Sequence, residues 1–125
     1  MLISSKPTIL IVDDDISILH GFTRIFERKG YSVVVAEKGK DAIEKINVNH
    51  YDVALVDLVL PDMEGTELLP LIENSSPKTL RIMLTGKARL GDRVKNADVF
   101  IEKPINPVKL LSIIDTKLKN RDSEI

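Results

Sequence analysis

“TILIVDDD”, Thr8 to Asp15, turns from oil to acid within a few residues. Its first part, Thr8 to Asp13, is a short apolar run rich in β-branched side chains, which predicts a strand buried on both faces. It then delivers three consecutive carboxylates, Asp13, Asp14 and Asp15. Like charges this close repel, and taking them out of water is costly unless a cation stands nearby. “DVALVD”, Asp52 to Asp57, repeats the design, an apolar run closed by a carboxylate.

Helical patterns separate these runs. Ile18, Phe22, Ile25 and Phe26 fall on one stripe, which Gly30 stops. “YSVVVAE” reads as a second strand, and Ala42, Ile43 and Ile46 mark one face of a second helix. “LVLPDMEG” is a loop with a Pro-Asp turn signal. “TELLPLIE” reads as a third helix, in which Pro70 forces a late start or a kink. “TLRIML” is a fourth strand ending at Thr85, and “DVFIE” a fifth ending at Lys103. Asn106 is placed to cap a last helix with Pro107 as its first residue, and Val108, Leu111, Ile114 and Leu118 form its expected buried stripe.

Strand and helix alternate along the whole chain, which implies a parallel sheet covered by helices on both faces. Ligands bind such sheets beyond the carboxyl ends of the strands. The polar residues at those ends are Asp13, Asp14 and Asp15, Asp57, Thr85 and Lys103. Carboxylates, a hydroxyl and an ammonium would therefore converge on one crevice.

Composition narrows the chemistry. The chain has 125 residues, 43% hydrophobic and 30% charged, with a net charge of -1. One domain of ordinary globular composition is expected, without the basic field a nucleic-acid backbone needs. No cysteine is present, which excludes disulfides, thiolate metal sites and cysteine nucleophiles and fits a reducing cytoplasm. Only two histidines occur, His20 expected on the solvent face of the first helix and His50 in a loop, so a multi-histidine zinc site is disfavoured. No apolar run reaches membrane-span length, and “MLISSKP” does not read as a signal peptide. Hard oxygen donors select Mg²⁺ or a similar ion such as Mn²⁺. Asp14 and Asp57 would supply carboxylates, while Lys103 and Thr85 would meet an anion. With no glycine-rich nucleotide loop in the sequence, a small or covalently carried phosphoryl group is the natural anion, and an aspartate can accept one as an acyl phosphate.

“IVDDD”, “YDVALVDLVLPDMEG”, “IMLTG” and “FIEKPI” follow one another in order, and with them the chain resembles a response-regulator receiver domain, the phosphoacceptor half of two-component signalling. The resemblance implies a flavodoxin-like (βα)5 doubly wound sandwich with strand order 2-1-3-4-5. It implies that Asp57 takes a phosphoryl group from a histidine kinase or a phosphotransfer protein. Asp14 would be the direct acidic ligand of Mg²⁺, Asp13 would hold metal-bound water, and the Val59 carbonyl would be a further ligand. Lys103 would pair with the carboxylate and then the phosphoryl oxygens, with Pro104 after it in a cis peptide. Thr85 would close on the phosphoryl group and Phe100 would be the aromatic switch. Ile18, Gly21 and Ile105 would touch the kinase.

The chain also departs from that family. The segment “GKARLGDRVKNADV” between Thr85 and Phe100 is short, so the fourth helix is expected to be short, displaced or partly irregular. Gly86 stands where alanine is usual. Val59 and Lys87 occupy the positions that tune phosphoryl lifetime, and an apolar Val59 predicts slow self-dephosphorylation.

Two other readings stay open. A haloacid dehalogenase-type phosphatase also opens with Asp-x-Asp at a strand end, a spacing “DDDIS” meets, but it gives Asp57 no role and wants further carboxylates where only Asp115, Asp122 and Glu124 follow. A degenerate receiver would only bind protein. The expected organisation is an N-terminal tail over 1–7, a receiver domain over 8–119 and a tail over 120–125. The expected product is a cytoplasmic signalling domain, not an enzyme, that acts on a downstream protein or a fused output domain, without direct nucleic-acid or membrane binding and with homodimerisation open.

Overall fold

The computed structural model describes residues 6–86 and 96–123. Five parallel strands lie in the order β2-β1-β3-β4-β5: β1 Thr8–Val12, β2 Ser32–Ala36, β3 Val53–Asp57, β4 Leu80–Thr85 and β5 Val99–Glu102. Among the described residues the α-helices are α1 Ile16–Arg28, α2 Gly39–Val48, α3 Leu68–Ser75 and α4 Pro107–Ser123. The expected short helix between β4 and β5, and Lys87 with it, lies in 87–95, outside the described residues.

The central strands β1, β3 and β4 are buried, apart from Thr8 at the start of β1, because both faces of the sheet are covered. Alternation sends Ile9 and Ile11 of β1, with Leu55 of β3, toward Phe22 and Phe26 of α1 and Leu110 and Ile114 of α4. It sends Leu10 and Val12, with Ala54 and Val56, toward Ala42 and Ile46 of α2 and Leu69 and Ile72 of α3. Each large side chain so enclosed contributes roughly 1.5–3 kcal/mol.

Local signals set the helix ends. Asp15 caps α1, its Oδ1 accepting the Ser17 and Ile18 amides at 2.9 and 3.3 Å. At the other end Gly30 adopts φ +91, and the Gly30 and Tyr31 amides return to the carbonyls of Glu27 and Phe26. That closure presses Tyr31 edge-on to Phe26, with ring centroids 5.1 Å apart. Pro70 gives α3 the late start expected of it: a 3-10 turn over Gly65–Glu67 precedes the helix, and Pro70 sits in the first α turn, where its missing N–H has no intrahelical partner to lose. Asn106 caps α4 through the Val108 and Lys109 amides.

The α4 stripe differs from the expectation at one end. Leu110, Leu111 and Ile114 are buried, whereas Val108 is 75% exposed. At about 100° per residue, Val108 lies roughly a quarter turn from the centre of the stripe that Leu110, Leu111, Ile114 and Leu118 share. The helix also runs past Lys119 to Ser123. Arg121 holds it there, donating to the carbonyls of Lys78 at 3.0 Å and Asp52 at 3.3 Å and meeting the Asp52 carboxylate at 3.3 Å.

Arg81, near the start of β4, is buried. Its guanidinium donates to the Asn96 carbonyl and pairs with Glu73 at 3.4 Å and Asp98 at 3.8 Å. The Asn96 amide group also donates to Glu73 at 2.6 Å. This network fixes the backbone at Asn96, which adopts φ 72, just before β5 begins.

Candidate phosphoacceptor and metal site

Strand register brings the functional groups together. Val12 pairs with Val56, so the residues that follow, Asp13 and Asp57, emerge level from neighbouring strands. Asp57 pairs with Leu84 and Thr85 with Glu102, which places Thr85 one step and Lys103 two steps further along. The Lys103 amide donates to the Thr85 carbonyl at 2.6 Å, so the β4–β5 pairing carries Lys103 to the pocket.

The side chains converge as the strand ends predict. The Lys103 ammonium donates to Asp13 Oδ2 at 2.8 Å and lies 3.3 Å from Asp57 Oδ2. Asp13 is fully buried, and its other oxygen accepts the Asp15 amide at 2.9 Å. Asp57 Oδ1 accepts the Val59 amide at 3.4 Å. Asp14 is exposed, yet Asp13, Asp14 and Asp57 each bring an oxygen within 4.8 Å of the others. Such a set of hard oxygens at the mouth of a crevice fits a small divalent cation. Thr85 is buried at the end of β4.

Burial pushes the Asp57 carboxyl above its ordinary range, and the neighbouring Asp13 charge adds to this; Lys103 and the Val59 amide oppose them. Burial pulls the Lys103 ammonium down, but the hydrogen bond to Asp13 and the charges of Asp13 and Asp57 outweigh it, so its pKa is raised. Lys103 is therefore held as a cation, the positive charge that the acidic strand ends require.

The remaining predicted residues fall around this centre. The Lys103–Pro104 peptide is cis. Val59 is 64% exposed and bridges antiparallel to Glu64. Phe100 lies on the edge strand β5, 38% exposed. Ile18 and Ile105 line a largely apolar groove with Phe22, Leu84, Gly86, Lys103 and Pro104. Gly21 lies outside it on the exposed side of α1, with open space around it. Asp15, which a phosphatase of the Asp-x-Asp type would need in the pocket, is instead spent on the α1 amides.

Sequence reasoning missed two contacts here. Gly65 stands so close to Asp57 that a Cβ would strike the Asp57 carbonyl oxygen. Asp62, read as a turn residue, accepts the Gly39 and Lys40 amides at 2.8 and 2.9 Å. The available signal was the start of α2, where Lys38 provides no side-chain cap.

Comparison with known proteins agrees. The response regulator receiver domain family matches residues 9–115. The transcriptional regulatory protein DltR of Streptococcus agalactiae is 34% identical over 121 residues, 94% of this chain and 53% of that protein. The response regulator GtcR of Aneurinibacillus migulanus is 32% identical over 118 residues, 91% of this chain and 48% of that protein. The chain thus spans about half the length of these curated relatives. Among solved structures, a CheY-like receiver domain protein from Methanospirillum hungatei JF-1 is 42% identical with TM-score 0.91, covering 97% of this chain and 100% of that one. A response regulator from Burkholderia pseudomallei, solved with a phosphorylated aspartic acid, a calcium ion and citrate, is 25% identical with TM-score 0.81, covering 94% of this chain and 72% of that one.

Proposed function

The chain belongs to the response regulator receiver domain family, and from that premise we propose that it accepts a phosphoryl group on Asp57 from a histidine kinase or phosphotransfer protein. The observation that carries this reading is the shared ammonium of Lys103, 2.8 Å from Asp13 and 3.3 Å from Asp57. An Asp57 oxygen attacks phosphorus, the bond to the donor imidazole nitrogen breaks with its electrons going to the ring, and an acyl phosphate remains on Asp57. Lys103, positioned by β5, takes the phosphoryl oxygens as they approach, and Thr85 donates its hydroxyl to the same group.

Asp13, Asp14, Asp57 and the Val59 carbonyl would hold Mg²⁺ or Mn²⁺, which supplies charge neutralisation for the incoming phosphoryl group. The calcium ion and phosphorylated aspartic acid of the Burkholderia relative support an oxygen-bound cation here. Thr85 drawn toward the phosphoryl group and Phe100 turning inward would shift the population between two surfaces. Val59 has no polar side-chain atom to orient an attacking water, which favours slow hydrolysis of the acyl phosphate. The groove beside Ile18 and Ile105 supports docking of the donor protein over α1 and the Lys103–Pro104 loop. The output is protein contact, with a downstream protein, a fused output domain or a second copy of the chain, in the cytoplasm and without direct nucleic-acid binding. Among the described residues no helix is long and apolar enough to cross a membrane.

Intact-protein mass after incubation with acetyl phosphate and Mg²⁺ tests the reading. One phosphoryl adduct is expected, absent from Asp57→Asn and after EDTA. A chain that binds Mg²⁺ yet takes neither a phosphoryl group nor beryllofluoride would instead be a degenerate, protein-binding receiver.

A further inference from the structure

We propose that Asp62 is a positioning residue for the Val59 carbonyl, and that it strengthens Mg²⁺ binding without touching the ion. The inference rests on the phosphoacceptor reading above and adds a residue to it.

The chain after Asp57 folds into a small hairpin. Its base is closed by the Gly65 amide donating to the Leu58 carbonyl at 2.7 Å, its middle by the Val59–Glu64 bridge, and its turn by the Leu60 amide on the Met63 carbonyl at 3.1 Å. Leu58 and Leu60 point into the core, but Val59 between them does not. Packing therefore does nothing directly for Val59, and its carbonyl is only as well placed as the hairpin that carries it.

The tip of that hairpin is fastened to a different element. The two Asp62 oxygens accept the Gly39 and Lys40 amides, the first two of α2. Met63 lies against Gly39 so closely that a Cβ there would strike its side chain. The helix has no side-chain cap of its own, since Lys38 precedes it, so Asp62 closes the helix and pins the hairpin with one carboxylate. The two amide bonds also hold the Asp62 carboxyl below its ordinary range. Without Asp62 the tip loses both hydrogen bonds to α2 and keeps only apolar packing, that of Leu60 in the core and of Met63 against Gly39, so the hairpin can rock about its base at Leu58 and Gly65.

Linkage makes the coupling reciprocal: an ion that binds the pinned hairpin better must pin it more firmly. Mg²⁺ should therefore slow hydrogen exchange at the Gly39 and Lys40 amides, which belong to another helix.

The test is calorimetric Mg²⁺ titration of the wild-type chain, Asp62→Ala and Asp62→Asn, with amide exchange of the wild type in the presence and absence of Mg²⁺. We expect Asp62→Ala to weaken Mg²⁺ binding about fivefold or more. Asp62→Asn, which keeps an acceptor for one amide, should recover part of the loss. Unchanged Mg²⁺ affinity in a folded Asp62→Ala chain, with only a lower Tm, would overturn the proposal and leave Asp62 a plain helix cap. If Asp62→Ala does not fold, the wild-type exchange decides, and Gly39 and Lys40 amides indifferent to saturating Mg²⁺ would overturn it. A wild-type chain that takes up no Mg²⁺ would overturn this proposal and the metal reading together, an outcome distinct from a loss confined to the variant.

Discussion

The Lys103 ammonium lies closer to Asp13 than to Asp57, 2.8 Å against 3.3 Å. Its tighter partner is thus the wholly enclosed Asp13 carboxylate, and Asp57 keeps the looser contact. Lys103→Met leaves two carboxylates facing each other with no counter-charge. We expect a loss of about 2–3 kcal/mol in denaturant unfolding at neutral pH, below the range for a fully buried pair because Lys103 is partly exposed. Labelling by acetyl phosphate should fall about a hundredfold. Adding Asp13→Asn to that variant should return much of the stability and little of the labelling. Equal stability of Lys103→Met and wild type would show that the ion pair is not structural.

Gly65→Ala drives a methyl group into the Asp57 carbonyl oxygen. A backbone atom at the end of the central strand cannot give way as a flexible side chain would. The expected cost is about 3 kcal/mol, the upper part of the range for overpacking, with slower phosphorylation because the displaced backbone carries Asp57. Denaturant midpoint and labelling rate on the same preparation check both effects.

Tyr31 gives the protein an alkaline limit. Burial first, then the charge and hydrogen bond of Asp115, push its hydroxyl from 10.0 up to about 12. A pKa raised in the folded state contributes stability that is complete below about 10 and is lost as pH rises through about 12. Unfolding free energy should accordingly decline from about pH 10 upward. Tyr31→Phe should flatten that decline and change neutral-pH stability by less than about 1 kcal/mol, since the contact with Asp115 is long at 3.5 Å. Parallel melts across pH 8 to 11 would expose an error in either sign or size.

Leu110 and Val108 are two residues apart on α4 and opposite in fate. Leu110 is wholly enclosed while Val108 faces solvent. Leu110→Ala should cost about 2–5 kcal/mol through the cavity it leaves, and Val108→Ala less than about 0.5 kcal/mol. Similar losses from both would mean that α4 is rotated from its position here.

Much of this was legible because it is periodic or local. Apolar runs ending in Asp13, Asp57, Thr85 and Lys103 announce parallel strands whose polar ends meet, and the cap at Asn106 follows from its nearest neighbours in sequence. What stayed hidden depends on partners distant along the chain. Arg81 interrupts the apolar run of its strand, and only the folded positions of Glu73, Asn96 and Asp98 explain how its charge is kept inside. Asp62 meets α2 and Arg121 meets Asp52 for the same kind of reason, and no window of sequence contains both halves. Val108 was misplaced because the last helix offers apolar residues around more than one face, so spacing alone did not fix its rotation.

Asp13, Asp57, Thr85 and Lys103 each stand at the end of a different strand, and neighbouring strands are tied by backbone hydrogen bonds. A hydrogen-bonded sheet resists shear, so the spacing of the four strand ends belongs to folding and not to the reaction, and only the Thr85 hydroxyl is left to be drawn in. An arriving phosphoryl group would meet them with little reorganisation left to make, while the rim formed by the loops adjusts around it. Weakening the core far from the pocket should therefore leave phosphorylation intact until the chain nears its unfolding midpoint, and then abolish it together with the fold.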